Sequence, residues 1–398
     1  MNRHSYDVFS RGSIGSMTLP NRIVRSATYS RNWLSIPNDI IAIYSKLAKG
    51  GTGLIITGDA GIIAGDGTPA PESGIKGIYA QSDYAIPGIS RIADIVHQTA
   101  PECKVAVQLS AQGYAPSDLS TPALKWRGLS AAEIRKVIDI HVATTCRMKE
   151  AGFDAVQIHA GHGHTLFWAF LSPYANHRAD EYGGSAENRA RIVREFVSEA
   201  REKVGDFPLL IKMNCDDSLE GGIDPENFPE LAYAVAEAGI DALEISGGSN
   251  DCLVRSEEEL GFPPMLVAEA RTRINVPEQQ SYFAESAARL DLDIPVILVG
   301  GNRDIERLEG FVKNGTTDFV ALCRPLISEP ALPNRWREGV GSDLSDCISC
   351  NSCIYSVSAY SRGKDYCIPL CMPKHDKAAH KDAQKWLQDA AEAFRKRG

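Results

Sequence analysis

The sequence predicts an α/β protein whose main domain is a (β/α)8 TIM barrel. Eight short runs rich in β-branched residues recur within about 300 residues, and each precedes a polar turn and a longer stretch with helical periodicity. Apolar strands that alternate with amphipathic helices indicate a parallel sheet covered by helices. An open, doubly wound sheet is disfavoured because no GxGxxG turn follows any run. The predicted strands span residues 21–27, 53–58, 104–109, 154–159, 208–213, 241–246, 295–300 and 318–323.

Several segments between and after the strands have a recognisable character. Residues 37–51 and 185–205 carry apolar residues at helical spacing and end on glycine, which predicts a helix over each. Loops rich in glycine, proline and polar residues follow the second and sixth strands, at 60–90 and 247–280, on the side where such barrels build active sites. The last thirty residues predict a solvated helix.

The composition is that of a soluble globular enzyme. Of the 398 residues, 43% are hydrophobic and 23% are charged, and the net charge of −9 leaves no basic stripe for nucleic acid or anionic lipid. The N-terminus lacks the apolar core of a signal peptide, and no stretch is long enough for a membrane span. We therefore expect a cytoplasmic homo-oligomer that acts on a small-molecule substrate, with its barrel at 1–340 and a cysteine-rich segment and helical tail at 341–398.

Polar side chains recur where the predicted strands end. Gln108 ends the third strand, His159 the fourth and Lys212 the fifth, while Gly300 ends the seventh. Strand ends of this polarity face the active site in the predicted architecture, so a lined pocket is expected. Lys212 has three interpretations at this point, namely a Schiff-base nucleophile, a fixed positive charge beside an anionic cofactor, or an ordinary salt-bridge partner.

Three histidines lie close together after the fourth predicted strand, in the motif IHAGHGH. His159, His162 and His164 are separated by glycines, so one loop could aim several imidazoles at one substrate. A single histidine is more often structural, but this grouping favours a catalytic role.

Two later segments suit a phosphate site. In such barrels the loops after the seventh and eighth strands often supply backbone amides to a phosphate. These loops correspond to VGGNRD (299–304) and CRPLISEP (323–330), where Arg324 would add bidentate donors. The glycine-containing turn alone is weak evidence, since such turns also occur for steric reasons.

Four of the ten cysteines are concentrated within residues 346–367. Cys347, Cys350 and Cys353 have the spacing C-x2-C-x2-C, which lets three thiolates converge from one loop, and Cys367 can supply a fourth. This pattern favours a [4Fe-4S] cluster. A zinc site is the main alternative, because Cys350 and Cys353 can pair with Cys367 and Cys371 at near zinc-ribbon spacing. Disulfides are the least favoured interpretation in a reducing compartment.

Eight motifs follow one another in an order that is familiar from one family. They are LPNRIVRSA (19–27), VQL (107–109), FDAVQIHAGHG (153–163), FLSPYANHRADEYGGSAENR (170–189), LLIK (209–212), ISGG (245–248), VGGNRD (299–304) and CRPLISEP (323–330). On these motifs the chain resembles the Old Yellow Enzyme-like flavin oxidoreductases. The cysteine segment is similar to the iron–sulfur segment of the branch that includes 2,4-dienoyl-CoA reductase and trimethylamine dehydrogenase.

The resemblance implies FMN at the mouth of the barrel. Lys212 would place positive charge near N1 of the flavin, which favours the second interpretation of this lysine. His159 and His162 match the pair that holds a substrate's electron-withdrawing oxygen in many members. The implied FMN-binding residues are Ser26, Ala27 and Thr28 along the isoalloxazine, Gln108 at its pyrimidine edge, Lys212, and Gly300, Gly301, Cys323 and Arg324 around the phosphate.

Two departures from the family pattern bear on the reaction. His164 stands where many relatives have a tyrosine that protonates the substrate's α carbon, and a histidine there changes the pH dependence. The dienoyl-CoA reductases also continue into domains that bind FAD and NAD(P)H, where this chain ends. An external donor is therefore expected, either an electron-transfer protein or a separate NAD(P)H-oxidising subunit, with direct reduction by NAD(P)H as the alternative.

Three functional hypotheses follow. The leading one is an FMN- and [4Fe-4S]-dependent ene-reductase that reduces an activated C=C bond. The second is a dehydrogenase that oxidises an amine or another saturated substrate and exports electrons through the cluster, and the cysteine spacing is closer to the amine dehydrogenases. The third is a zinc-stabilised barrel without a redox role, such as a Schiff-base lyase or a binding subunit.

Overall fold

The secondary structure alternates strands and helices along most of the chain. The structure, a computed structural model, describes residues 3–28, 38–62, 83, 86–111, 128–262, 271–272, 274, 276–353, 371, 381, 385 and 389. The strands are β1 (Gly12–Ile14), β2 (Met17–Leu19), β3 (Ile23–Arg25), β4 (Leu54–Ile62), β5 (Lys104–Ala111), β6 (Ala155–Ala160), β7 (Leu209–Asn214), β8 (Ala242–Ser246), β9 (Val296–Leu298) and β10 (Phe319–Leu322). The helices are α1 (Asn38–Lys49), α2 (Ile86–Thr99), α3 (Ala131–Glu150), α4 (Leu166–Leu171), α5 (Ala186–Val204), α6 (Phe228–Ala236), α7 (Glu257–Leu260), α8 (Ala284–Ala287), α9 (Ile305–Lys313), α10 (Arg324–Ser328) and α11 (Leu332–Glu338).

The strands from β3 to β10 pair in parallel, each with the next along the chain, and β10 pairs back to β3 to close the barrel. The predicted (β/α)8 TIM barrel is therefore confirmed, and each of the eight predicted runs overlaps one barrel strand. Two strands are longer than predicted, because β4 and β5 pair again beyond a register shift between Ile56 and Asp59. The predicted helices at 37–51 and 185–205 correspond to α1 and α5.

Side chains on the barrel strands alternate between two environments. On β5, Val105, Val107 and Leu109 belong to the large core between the sheet and the helices, whereas Ala106 belongs to a second cluster inside the barrel. This follows from the strand period of two residues. We call the second cluster the interior apolar cluster; its barrel residues are Val24, Leu54, Ile56, Ala106, Ala155, Leu210, Ala242, Ile297, Phe319 and Ala321.

An antiparallel hairpin of β1 and β2 packs against the interior apolar cluster. Its buried side chains Ile14, Met17 and Leu19 are part of that cluster. Because Leu54, Ala155 and other members lie at the beginning of their strands, the hairpin covers the N-terminal end of the barrel. No sequence pattern predicted this hairpin, since each of its strands is only three residues long.

Local sequence signals explain where the two longest helices begin and end. Ser130 and Glu133 form a reciprocal capping box at the start of α3. Ser185 caps α5 by accepting a hydrogen bond from the Asn188 amide, and α5 ends at Gly205, whose φ is +64°. These helices pack side by side, and α3 also packs against β6.

Several predictions concern residues that lie largely outside the described ranges. The solvated C-terminal helix and most of the loop at 60–90 are among them, as are residues 263–270, 273 and 275 of the loop at 247–280. In the part of the chain that is described, no helix is long and apolar enough to cross a bilayer. The domain boundary at 340, the homo-oligomer and the cytoplasmic location stay predictions.

Candidate active site

A layer of polar side chains lies inside the barrel, above the interior apolar cluster. Each member follows an apolar interior residue by two positions, as Gln157 follows Ala155 and Lys212 follows Leu210, so the strand period points both residues inward. All members are buried. We call this set the polar layer; it comprises Ser26, Gln108, Gln157, Lys212 and Glu244.

Hydrogen bonds join the polar layer into one network. Gln108 Nε2 donates to Gln157 Oε1 at 2.8 Å, and Gln157 Nε2 donates to Glu244 Oε2 at 2.6 Å. Ser26 Oγ donates to the other carboxylate oxygen, Glu244 Oε1, at 2.6 Å. Lys212 Nζ donates to Ser26 Oγ at 3.0 Å and lies 3.3 Å from Glu244 Oε1. This ion pair favours a fixed positive charge at Lys212 over the neutral amine that a Schiff base needs.

The histidine loop, residues 159–164, places three imidazoles above the polar layer. His159 lies on β6, and the chain then turns through His162, which has φ of +65°. The ring centroids are 4.8 Å apart for His159 and His162, 5.4 Å for His159 and His164, and 6.1 Å for His162 and His164. The grouping predicted from IHAGHGH is therefore present in the structure.

Backbone hydrogen bonds determine the tautomers of two of these histidines. The Gly161 amide donates to His159 Nδ1 at 3.3 Å, so in the neutral ring the proton of His159 lies on Nε2. His164 Nδ1 lies 3.1 Å from the His162 carbonyl oxygen, which can only accept, so His164 carries its proton on Nδ1. Neutral His159 thus offers an Nε2–H donor, and neutral His164 offers an Nε2 acceptor.

Burial and nearby positive charge keep two of the histidines neutral. The pKa of His159 lies well below its usual range, chiefly because the ring is buried and further because of His164 and Lys212. Burial likewise lowers the pKa of His162, with contributions from His159, Lys212 and His164. Near neutral pH both rings are therefore uncharged hydrogen-bonding groups.

Two polar contacts hold His162 in its unusual backbone conformation. Its Nε2 lies 2.9 Å from Ser246 Oγ at the end of β8, and its amide donates to Asn214 Oδ1 at 3.2 Å. Asn214 ends β7 and also donates to the Gly248 carbonyl at 2.8 Å. The ends of β6, β7 and β8 are therefore linked through His162.

The buried carboxylate of Asp217 holds Asn214 in place, and Asn214 in turn contacts His162. The carboxylate accepts hydrogen bonds from Asn214 Nδ2 at 2.7 Å and Trp168 Nε1 at 2.7 Å. It also accepts from Ser172 Oγ at 2.6 Å and from the Ile223 amide at 2.9 Å. Four donors thus converge on one fully buried side chain, which ties α4 to the loop after β7.

The predicted phosphate stretch lies where β9 ends. Gly300 and Gly301 have φ of +110° and +75°, a region that favours glycine. A Cβ at either position would approach the rings of Phe283 or Tyr282 to within 2.8 Å, so side chains are also excluded sterically. Both reasons explain why two glycines occur in sequence here.

Buried polar atoms near these glycines make no hydrogen bond within the part of the chain that is described. Their positions suit the phosphate or the ribityl chain of the expected FMN, because buried polar groups without partners are rare and costly. The neighbouring Arg324 is buried and donates to the Arg271 carbonyl at 2.7 Å. The atoms are Gln280 Oε1, Ser281 Oγ, Asn302 Oδ1 and Arg303 Nε.

The cysteine loop, residues 347–353, lies against the same end of the barrel. Arg303 donates to the Cys347 carbonyl at 2.8 Å, and Arg324 donates to Asn351 Oδ1 at 2.6 Å. Burial raises the pKa of the Cys353 thiol to about 12, and the nearby Cys323, Cys347 and Cys350 act in the same direction.

The described part of the cysteine loop does not by itself form a ligand set. No three His, Cys, Asp or Glu side chains converge as metal ligands among the described residues. Cys347, Cys350 and Cys353 are described, whereas Cys367 lies outside the described ranges. The donors have the right chemistry for a [4Fe-4S] cluster, but their assignment as ligands stays a prediction.

The chain matches the NADH:flavin oxidoreductase / NADH oxidase family over residues 7–343. It belongs to this family. The resemblance to Old Yellow Enzyme-like flavin oxidoreductases is thereby confirmed, and so is the expectation of a flavin-dependent oxidoreductase.

Similar proteins agree with this assignment. The chain is 31% identical over 370 residues to an NADH oxidase of Thermoanaerobacter brockii, covering 87% of this chain and 53% of the relative. It is 31% identical over 341 residues to a cinnamate reductase of Clostridium sporogenes, covering 78% of this chain and 49% of the relative. A solved 2-naphthoyl-CoA reductase superposes with a TM-score of 0.74 at 24% identity, covering 95% of this chain and 58% of that one, and supports the fold. The chain thus spans about half the length of these relatives.

The residues predicted to bind flavin lie together at the C-terminal end of the barrel. Ser26 follows β3, and Thr28 Oγ1 lies 3.2 Å from Cys323 Sγ, next to β10. Ala27 packs against the interior apolar cluster. Lys212 and Gln108 belong to the polar layer on other strands. Polar atoms that converge in this way fit a flavin, whose ring has hydrogen-bonding groups along one edge.

Sequence reasoning missed five residues that organise this site. Gln157 and Ser246 lie within family motifs but were given no role there, and a signal was present, since Gln157 and Glu244 interrupt otherwise apolar strands. A polar residue in the middle of a buried strand needs a partner inside the barrel. The missed residues are Gln157, Asn214, Asp217, Glu244 and Ser246.

We expect Asp217→Asn to lower the free energy of unfolding by about 2–4 kcal/mol, because an amide cannot accept hydrogen bonds from four converging donors. Denaturant unfolding monitored by circular dichroism measures this change. The control is Asp216→Asn, which keeps an acceptor for the single Ser218 amide and should cost less than about 1 kcal/mol. Equal losses in both variants would contradict this role of Asp217.

Proposed function

We propose that this protein is an FMN- and [4Fe-4S]-dependent ene-reductase that reduces an activated C=C bond in an enone, enoate or enoyl thioester. The observation that carries the proposal is the convergence of three imidazoles above the polar layer, with a neutral His159 that offers an Nε2–H donor. The similarity to a cinnamate reductase supports the same reaction class. Electrons come from NAD(P)H or from an external electron-transfer partner.

The residues of the polar layer would hold the flavin. Bound FMN supplies two-electron chemistry with a hydride as the transferred unit. Lys212 would provide a positive charge to the flavin, and Gln108 would provide an amide that can pair with its pyrimidine edge. Gly300 and Gly301 would bind the phosphate through backbone amides, and Arg324 through its guanidinium.

His159 and His162 would bind the carbonyl oxygen that activates the double bond. A neutral imidazole N–H polarises a carbonyl without itself losing a proton, and both rings are neutral near pH 7. Overall, the C=C bond gains a hydride at the β carbon and a proton at the α carbon, while the donor loses two electrons. The carbonyl is suited to this arrangement because negative charge develops on its oxygen as the hydride arrives.

His164 would supply the proton to the α carbon. In the neutral ring its only N–H is directed at the His162 carbonyl, so Nε2 can donate a proton only from the imidazolium form. The same Nε2 in the neutral ring is a base, suited to removing a proton in the opposite reaction.

The cysteine loop would carry the cluster. A [4Fe-4S] cluster supplies one-electron transfer when bound. Cys347, Cys350, Cys353 and Cys367 are the proposed ligands. Arg303 and Arg324 tie the loop to the ends of β9 and β10, beside the phosphate stretch, which supports a path for electrons to the flavin.

The second candidate function is a dehydrogenase that oxidises an amine or another saturated substrate. The basic Nε2 of neutral His164 is the observation that favours it, because such oxidation needs a proton acceptor as the hydride leaves. Two electrons would then leave through the cluster to an acceptor protein. Family membership leaves the third hypothesis, a barrel without a redox role, without support.

A substrate panel distinguishes the first two functions. We expect the anaerobically purified protein to reduce enones, enoates or enoyl thioesters with dithionite-reduced flavin as the electron source, and to leave methylamines unoxidised. Product analysis by mass spectrometry measures both directions. Oxidation of amines with no reduction of any activated alkene would overturn the ene-reductase. Stopped-flow mixing with NADH and NADPH then shows whether either reduces the flavin directly.

We expect His164→Tyr to shift the alkaline limb of the alkene-reduction profile to higher pH, because a phenol stays protonated to higher pH than an imidazolium does. The rate of alkene reduction from reduced flavin, measured from pH 5 to pH 10, tests this. His164→Phe should lower the rate by about 10²–10⁴-fold and remove that limb. An unchanged profile in both variants would show that His164 does not transfer the proton.

The cluster assignment predicts four irons per chain and a brown protein. We expect Cys367→Ser to lower the iron content and the visible absorbance of the cluster, because a cubane cluster needs four thiolates. Cys371→Ser is the matched control and should keep both. If Cys371→Ser lost the iron while Cys367→Ser retained it, the fourth ligand would be Cys371. Zinc in place of iron in the wild-type protein would favour the zinc site.

A further inference from the structure

The contacts of Glu244 reach across the interior of the barrel to residues on other strands. Glu244 lies on β8, whereas its partners Ser26, Gln157 and Lys212 follow β3 or lie on β6 and β7. Ser26 and Lys212 are four strands apart in a ring of eight, so they approach one another from opposite walls. Both oxygens of the Glu244 carboxylate are used, one toward Ser26 and Lys212 and the other toward Gln157.

The charges of Glu244 and Lys212 are both buried and adjacent. Glu244 has no exposed surface, and Lys212 is 5% exposed. At 3.3 Å the two charges largely cancel for any group bound above them. A flavin edge over Lys212 would therefore experience less positive potential than the lysine alone would create.

Glu244 also determines where the neighbouring donors point. Its two hydrogen bonds orient the Ser26 hydroxyl and the Gln157 amide, and the Gln157 carbonyl in turn receives the Gln108 amide. The orientation of Gln108 thus depends on a residue that it does not touch. Ser26 and Gln108 are both among the residues assigned to the flavin, whereas Glu244 is not.

We infer that Glu244 is a positioning residue that compensates the charge of Lys212 and so lowers the reduction potential of the flavin bound above. The inference rests on the proposed function, since it needs FMN over the polar layer. A flavin gains negative charge when it is reduced, so positive charge nearby favours the reduced form and negative charge opposes it. A lower potential makes the reduced flavin a stronger donor to an alkene.

The test is a double-mutant cycle that removes each of the two charges from the FMN-loaded protein. The reduction potential of the flavin is measured by anaerobic spectroelectrochemistry in the wild type, Glu244→Gln, Lys212→Met and the double variant. We expect Glu244→Gln to shift the potential to more positive values and Lys212→Met to shift it to more negative values. The double variant should lie close to the wild type, because the two removed charges oppose one another.

A conservative variant separates charge from geometry. Glu244→Asp keeps the carboxylate but shortens the side chain, so we expect it to leave the potential near the wild-type value even if FMN binds more weakly. Should Glu244→Gln not fold, the double variant avoids an unpaired buried lysine and is compared with Lys212→Met instead. In that comparison, removal of Glu244 should again raise the potential.

Two outcomes separate this inference from the proposed function. FMN bound to Glu244→Gln with the wild-type potential would overturn the role of Glu244 and leave the ene-reductase intact. A wild-type protein that neither contains nor takes up flavin would overturn both. Equal shifts in Glu244→Gln and Glu244→Asp would mean that geometry rather than charge is responsible, and would also overturn the inference.

Discussion

The two-residue period of a β-strand, imposed on eight strands that close into a ring, is the constraint on which this molecule depends. Every second side chain must face the interior, where water is excluded and where residues from distant parts of the chain meet. The lower interior positions are apolar and pack against the β1–β2 hairpin. The positions above them are polar, and because they are buried they must satisfy one another.

Chemistry at the site follows from the partners that each polar group finds there. Backbone atoms determine the proton positions of His159 and His164, so two similar imidazoles have opposite hydrogen-bonding characters. Burial keeps His159 neutral, while Glu244 keeps Lys212 in an ion pair. One end of the barrel thus combines a neutral hydrogen-bond donor at His159, a base at His164, and a positive charge on Lys212 that Glu244 largely cancels. None of these properties belongs to a residue type alone.

The barrel and the strand-end residues could be predicted because their causes are local. Hydrophobic period, turn residues and glycines lie next to one another in the sequence, and Lys212 and the histidine loop follow them directly. Glu244 could not be assigned in this way, because its partner Ser26 is 218 residues away and meets it only when the ring closes. The tautomers depend on individual backbone atoms, and Cys367, which the sequence predicts as the fourth cysteine ligand, lies outside the described residues.

The hairpin at the N-terminal end has an evolutionary consequence. It completes an apolar half of the barrel that shares no side chain with the polar layer. Substitutions in the loops after the strands can therefore alter what is recognised without weakening the half that supplies much of the interior packing. A fold divided in this way allows new specificities to be sampled from one scaffold at little cost in stability.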